Sequence, residues 1–169
     1  RRFFPVRENE SGKPCGSREN LGYSCRPQAR TDESAVFLDC QTLQYRYSHI
    51  DLKGASIVIV NTNKRHSLTS SGYNDRRRDC EAALADLQRV RPIQALGELT
   101  PAEFDALARH IKSPVGRRRA RHAVYENART IEAVAALEAD DVAKFGRLMH
   151  DSHVSLRDDY EVTGEELDT

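Results

Sequence analysis

The sequence predicts an α+β fold, and three observations support this prediction. Runs of apolar, strand-forming residues are confined to residues 35–61, whereas the residues after 73 show helical periodicity. Strands therefore come before helices along the chain and do not alternate with them, as they do in α/β proteins. A chain of 169 residues is also long enough to bury a substantial core, about 70% of the surface of its unfolded form.

Three strands are predicted in this first part. The run AVFLDC at 35–40 is apolar, and residues 43–52 alternate between the two faces of a strand. One face of the second segment carries Leu43, Tyr45, Tyr47 and His49, and we expect it to be half-buried. The run ASIVIVN at 55–61 is typical of a buried strand. Because the connections are short, such as the Lys53-Gly54 turn, we expect an antiparallel or mixed sheet.

Four helices are predicted after the strands. The first follows Tyr73 and ends at Pro92. The second has Thr100 as its N-cap, Pro101 in its first turn and Glu103 three residues after the cap, which is the pattern of a capping box. This pattern fixes the start of the second helix more sharply than periodicity alone does.

The third and fourth helices are predicted from apolar periodicity. The third opens at Ser113-Pro114 and the fourth at about Asp140. The residues expected to face the core are Cys80, Ala83, Leu84, Leu87 and Val90 in the first helix, Ala120, Val124, Ala128, Ile131 and Ala135 in the third, and Val142, Phe145, Met149 and Leu156 in the fourth. Residues 1–34 are polar and show no period, which predicts an irregular segment.

The composition excludes some classes of partner. The 26 basic and 26 acidic residues balance, so we expect neither nucleic acid nor a membrane as a partner. The arginine runs at 76–78 and 117–119 are accordingly predicted to be solvated helix faces. The chain has no run of 18 apolar residues, and its four cysteines show no C-x-x-C pattern. These features predict a soluble, cytoplasmic protein with reduced thiols.

Four segments, in order, resemble galactokinases, which are members of the GHMP small-molecule kinase superfamily. They are FLDCQTLQYRYSHIDLKG, IVIVNTNKRHSLTSSGYNDRRRDCEAAL, RARHAVYENARTIEAVAALEADD and MHDSHVSLRDDYEVTGEELD. The resemblance implies an ATP-dependent kinase of galactose metabolism, which phosphorylates the anomeric hydroxyl of galactose and uses Mg²⁺. It also implies a two-lobed, GHMP-kinase-like fold. In that fold residues 35–54 would end the N-terminal lobe, and residues 55–169 would form part of a mostly helical C-terminal lobe.

The resemblance also implies roles for three residues. Tyr73 matches the tyrosine of the SSxY element, which contacts the sugar; a phenol packs on a pyranose face and makes one directed hydrogen bond. Arg65 matches a basic position on the phosphate side of the site, where a guanidinium stabilises charge on the transferred group. Glu8 matches a carboxylate on the Mg²⁺ side, with the spacing one residue short.

The catalytic base is unassigned from the sequence. Galactokinases carry a CGxMDQ element whose aspartate acts as the base, but Cys15-Gly16 is followed here by SRENLGYS. Counting forward places Glu19 at the aspartate's position, whereas counting back from Cys40 places Tyr23 there. The family's phosphate-binding glycine-rich loop and sugar-binding GEHTDY-type motif would precede this chain, and its late glycine-rich segment would follow it. The chain is therefore expected to be an inactive fragment, incomplete at both ends.

Three alternatives to a galactokinase stay open at this point. A galactose-binding regulator would bind sugar and nucleotide without transferring phosphate. A pseudogene product would have no function, and a scrambled 16–34 segment is the feature that suggests it. A sister kinase acting on N-acetylgalactosamine would differ only in its choice of sugar.

Overall fold

The computed structural model describes residues 2–4, 34–63 and 71–168. In these residues the strands are β1 (Arg2–Phe4), β2 (Ser34–Leu38) and β3 (Tyr45–His49). The helices are α1 (Ser71–Gln88), α2 (Pro101–Leu107), α3 (Pro114–Glu138) and α4 (Val142–Asp158), with short 3₁₀ helices at Leu96–Glu98 and Ala108–His110. Strands precede helices, as expected for an α+β protein.

The described strands form one antiparallel sheet in the order β1-β2-β3. Phe37 pairs with Phe3 of β1 on one side and with Arg46 of β3 on the other. The strand β1 was not predicted, because three residues are too few to show a period of two.

The predicted buried face of β3 is wrong. Ser48 is the buried residue of this strand, whereas Tyr47 and His49 are exposed and Leu43 lies in the preceding turn with a positive φ of 59°. Ser48 pairs with Ala35 of β2, which is buried as well. A period of two shows which residues share a face but not which face is covered, so the aromatic residues suggested the wrong side.

The third predicted strand is not formed. Residues 55–61 have no regular secondary structure, and their apolar side chains are exposed, with Ile59 at 91%. A buried strand needs a neighbour for its N–H and C=O groups, and no described strand pairs with this segment. Its β-branched composition gives strand propensity but supplies no partner.

A hydrophobic core joins α1, α2 and the first half of α3. It consists of Ala83, Leu87, Ile93, Leu96, Leu99, Phe104, Ile111, Ala120 and Val124. Ala83 and Leu87 come from the predicted stripe of α1, whereas Val90 lies beyond the end of the helix and is exposed. This core holds α1 in place and thereby determines where its N-terminal turn lies.

The helix α3 buries different faces in its two halves. Ala120 and Val124 are buried as predicted, but Ile131 and Ala135 are exposed, as is Met149 of α4. The buried residues after position 131 are Ala133, Val134, Ala136 and Leu137. The chain divides within this helix into two compact units, Arg1–Ala55 with Glu132–Phe145 and Ser56–Ile131 with Gly146–Thr169. One apolar stripe cannot describe a helix whose halves belong to different units.

The capping box of α2 is confirmed. The Thr100 hydroxyl accepts a hydrogen bond from the Glu103 amide at 3.3 Å, and the Glu103 carboxylate accepts one from the Thr100 amide at 3.0 Å. The bond from the Thr100 amide also lowers the pKa of Glu103. The sequence Thr163-Gly164-Glu165-Glu166 also has the pattern of a capping box, which predicts the start of another helix, but no helix begins there among the described residues.

We predict that Thr100→Ala lowers the free energy of unfolding by about 1 kcal/mol, because an N-cap acceptor is lost. Urea denaturation measures this change. The control is Thr163→Ala, which removes only a hydroxyl bond to the Asp168 carboxylate and should change stability by less than about 0.5 kcal/mol. Equal losses in the two variants would show that the box does not stabilise α2.

Candidate functional site

The sequence-predicted sugar contact, Tyr73, lies in the first turn of α1. It is the third residue of the helix, and 61% of its surface is exposed. The structure therefore leaves this phenol accessible to a ligand.

The sequence predicts four further candidates for the site. Arg65 and Glu8 lie outside the described residues, as do Glu19 and Tyr23, the two candidates for the base. Within the described ranges, no group of three or more His, Cys, Asp or Glu side chains could hold a metal ion. The predicted roles of Arg65 on the phosphate side and of Glu8 on the Mg²⁺ side stay predictions.

Arg76 lies one turn after Tyr73, and its guanidinium binds three backbone carbonyls. Nη1 donates to Gly72 O at 2.8 Å, and Nε donates to Tyr160 O at 2.6 Å. Nη2 donates to the carbonyl of Glu161. This side chain thus links the first turn of α1 to the residues that follow α4.

Two arginines of α3 also bind this segment after α4. Arg119 Nη1 donates to Asp159 O at 2.6 Å, and its Nη2 donates to the Glu161 carboxylate at 2.6 Å. Arg118 binds the other carboxylate oxygen of Glu161 at 2.9 Å. The bond from Arg119 lowers the pKa of Glu161. We call Arg76, Arg118 and Arg119 the arginine clamp.

The clamp holds a strained backbone. Glu161 has a φ of 52°, in the left-handed region, which costs a residue with a Cβ about 1–2 kcal/mol. Both its carbonyl and its carboxylate are bound by arginines of the clamp. These bonds offset the strain and fix the direction in which the chain leaves α4.

A buried histidine lies next to the clamp. The ring of His122 stacks on Tyr160 with centroids 4.5 Å apart, and its Nδ1 lies 2.9 Å from Ser155 Oγ. Ser155 Oγ also donates to Asp159 Oδ2 at 3.4 Å. Burial lowers the pKa of His122 to about 4, so the ring is neutral at pH 7. Because the serine lies between the histidine and the aspartate, this is not the order of a nucleophilic triad.

The prediction of solvated arginine faces is right for some residues and wrong for others. Arg77 and Arg78 are exposed and pair with nearby carboxylates of α1. Arg119, in contrast, is only 5% exposed, and Arg76 is half-buried. A signal was present in the sequence: Arg76 lies four residues before Cys80 and so continues the apolar stripe of its helix.

None of the helices in the described ranges has both the length and the apolar character needed to cross a membrane.

Comparison with known proteins gives a clear relationship. The galactokinase of Clostridium acetobutylicum is 58% identical over 137 residues, which is 81% of this chain and 35% of that protein. The galactokinase of Bacillus subtilis is 47% identical over 134 residues, covering 79% of the chain and 34% of the relative. This chain is a homologue of galactokinases. It spans about a third of the length of the curated relatives it matches. No family model matches the sequence.

The relationship extends to the fold of this galactokinase homologue. The crystal structure of Lactococcus lactis galactokinase complexed with galactose matches it with a TM-score of 0.77 at 49% sequence identity. The match covers 80% of this chain and 35% of that one. The predicted family and the predicted α+β, galactokinase-like fold are therefore confirmed.

We predict that acid destabilises the chain through His122. Its pKa is 6.5 as an ordinary histidine and about 4 when folded, so between these values the unfolded state binds more protons. The free energy of unfolding should fall as the pH is lowered from 6.5 to 4, by at most about 3 kcal/mol.

Urea denaturation across this pH range measures the effect. His122→Asn, which keeps a hydrogen-bonding group toward Ser155, should flatten the pH dependence, whereas the control His150→Asn on the exposed face of α4 should not. Equal losses of stability on acidification in the wild type and in His122→Asn would show that His122 does not cause the pH dependence.

Proposed function

We propose that this chain is part of a galactokinase that transfers the γ-phosphoryl group of ATP to the anomeric hydroxyl of galactose. The observation that carries the proposal is the likeness to Lactococcus lactis galactokinase complexed with galactose, at 49% identity and a TM-score of 0.77. The identity of 47–58% to the Bacillus and Clostridium galactokinases supports the same activity.

The proposed role of Tyr73 is to bind the sugar. Its place in the first turn of α1 and its 61% exposure let the ring pack on a pyranose while the hydroxyl makes one hydrogen bond. In phosphoryl transfer, positioning of the acceptor supplies much of the catalytic effect. A residue that orients galactose should therefore affect galactose binding and leave ATP binding unchanged.

The remaining assignments belong to the same proposal. ATP would be the phosphate donor and Mg²⁺ would neutralise its charge, with Glu8 on the metal side and Arg65 on the phosphate side. Residues 35–54 would end the N-terminal lobe, and residues 55–169 would belong to the C-terminal lobe. A cytoplasmic location fits the free thiols of Cys40 and Cys80.

A chimera tests the proposed activity. Residues 35–168 replace the homologous segment of the Clostridium acetobutylicum galactokinase, to which this chain is 58% identical. We expect the purified chimera to phosphorylate galactose with MgATP. A folded chimera that is inactive on galactose would refute the proposal, and one that acts on N-acetylgalactosamine instead would favour the sister kinase.

We predict that Tyr73→Ala in this chimera raises the KM for galactose about ten- to a hundred-fold, because a hydrogen bond and a ring contact worth about 1–3 kcal/mol are lost. The KM for ATP should change little. Tyr125→Phe is the control, since it removes a tyrosine hydroxyl bond that joins α3 to Asp105 of α2 and does not involve α1. If Tyr73→Ala raises the KM for galactose and the KM for ATP equally, the tyrosine supports the first turn of α1 and does not touch the sugar.

A further inference from the structure

We propose that Arg76 is a positioning residue for the sugar: it fixes the first turn of α1 and thereby the direction of the Tyr73 phenol. The inference rests on the proposed contact between Tyr73 and galactose. Arg76 itself would not touch the substrate. It acts through the backbone that carries Tyr73.

The geometry joins Arg76 to Tyr73 by one peptide bond. The carbonyl that accepts from Arg76 Nη1 at 2.8 Å is that of Gly72, whose carbon is bonded to the nitrogen of Tyr73. The other two nitrogens of the same guanidinium donate to the carbonyls of Tyr160 and Glu161. The peptide plane before Tyr73 is therefore tied to a second segment of the chain.

That second segment is itself held firmly. Arg118 and Arg119 of α3 bind the Glu161 carboxylate, and Arg119 also binds the Asp159 carbonyl. Arg119 is almost fully buried, so its position is set by packing. Arg76 thus ties the first turn of α1 to a segment that two arginines of α3 hold in place.

The positive charge of Arg76 lies at the positive end of the dipole of α1. Its guanidinium reaches back to the N-terminal turn of α1, where the dipole is positive and where the helix has no acidic residue. A cation there does not stabilise the helix by itself. Three carbonyl acceptors compensate for it, one for each nitrogen of the planar guanidinium.

The glycine at position 72 also indicates that the Arg76 guanidinium lies close to the backbone of α1. A Cβ at this position would lie 2.7 Å from Arg76 Nη1, closer than such atoms come. A glycine therefore leaves the space in which the guanidinium sits. Alanine at this position would displace the end of the Arg76 side chain and leave the backbone in place.

Kinetics of the chimera test the proposal. Arg76→Ala and Gly72→Ala should each raise the KM for galactose about ten-fold, with the KM for ATP unchanged, and Arg76→Lys should fall between wild type and Arg76→Ala. The control is Arg77→Ala, which removes an exposed ion pair with Glu81 on the same helix. It should leave both KM values unchanged.

Gly72→Ala separates positioning from simple stabilisation. Alanine favours a helix more than glycine does, so the thermal midpoint of this variant should stay level or rise. A positioning role predicts a raised KM for galactose despite that stability. Unchanged galactose KM values in Arg76→Ala and Gly72→Ala would overturn the proposal, as would equal rises for galactose and ATP.

Amide exchange in the 169-residue chain provides a test that does not depend on activity. Residues 75–78 are the first in α1 whose amides bond to carbonyls of its first turn. Arg76→Ala should raise their exchange rates at least ten-fold, and Arg77→Ala should not. If the unmodified chimera is inactive, the proposed function fails while this measurement still tests the clamp. Unchanged exchange in Arg76→Ala overturns the clamp itself.

Discussion

The bonds from arginine side chains to the backbone at 159–161 are the interaction on which the α1–α3 region depends. The last carbonyls of a helix have no partner within it, and cations are favoured at that end. Just beyond α4, the carbonyls of residues 159–161 are bound by Arg119 from α3 and by Arg76 from α1. Two helices that lie far apart in the sequence are thereby attached to one short segment.

This arrangement separates a rigid support from an accessible side chain. The support consists of buried or half-buried groups, including Arg119, Tyr160 and the neutral ring of His122. Tyr73 projects from the turn that Arg76 holds and remains exposed. A residue binds its ligand more tightly when contacts of this kind fix its backbone, because less conformational entropy is lost on binding.

Features that depend on nearby residues were predictable from the sequence. The Thr100–Glu103 capping box requires only residues three apart, and it forms as expected. The stripe of α1 buries Ala83 and Leu87 because one core covers that part of the helix. The start of α1 was predicted less closely: the helix was expected after Tyr73, whereas α1 begins at Ser71 and contains this tyrosine.

Features that depend on distant partners were not predictable. Residues 55–61 have the composition of a strand, but no described strand pairs with them. The face that α3 buries changes within the helix, whose two halves belong to different compact units, and apolar periodicity does not reveal that division. The clamp escaped prediction because most of its acceptors are backbone carbonyls, which every residue type possesses.

Hydrogen exchange at the end of α4 tests the arginine clamp most directly. The amides of Asp159, Tyr160 and Val162 bond to carbonyls of Ser155 and Leu156, near a helix end that would fray without support. We predict that they exchange about as slowly as the core amide of Val124. In Arg119→Met, which keeps the bulk of the side chain but removes its donors, they should exchange at least a hundred-fold faster. Exchange at the rate of unstructured backbone in the unmodified chain would contradict the account.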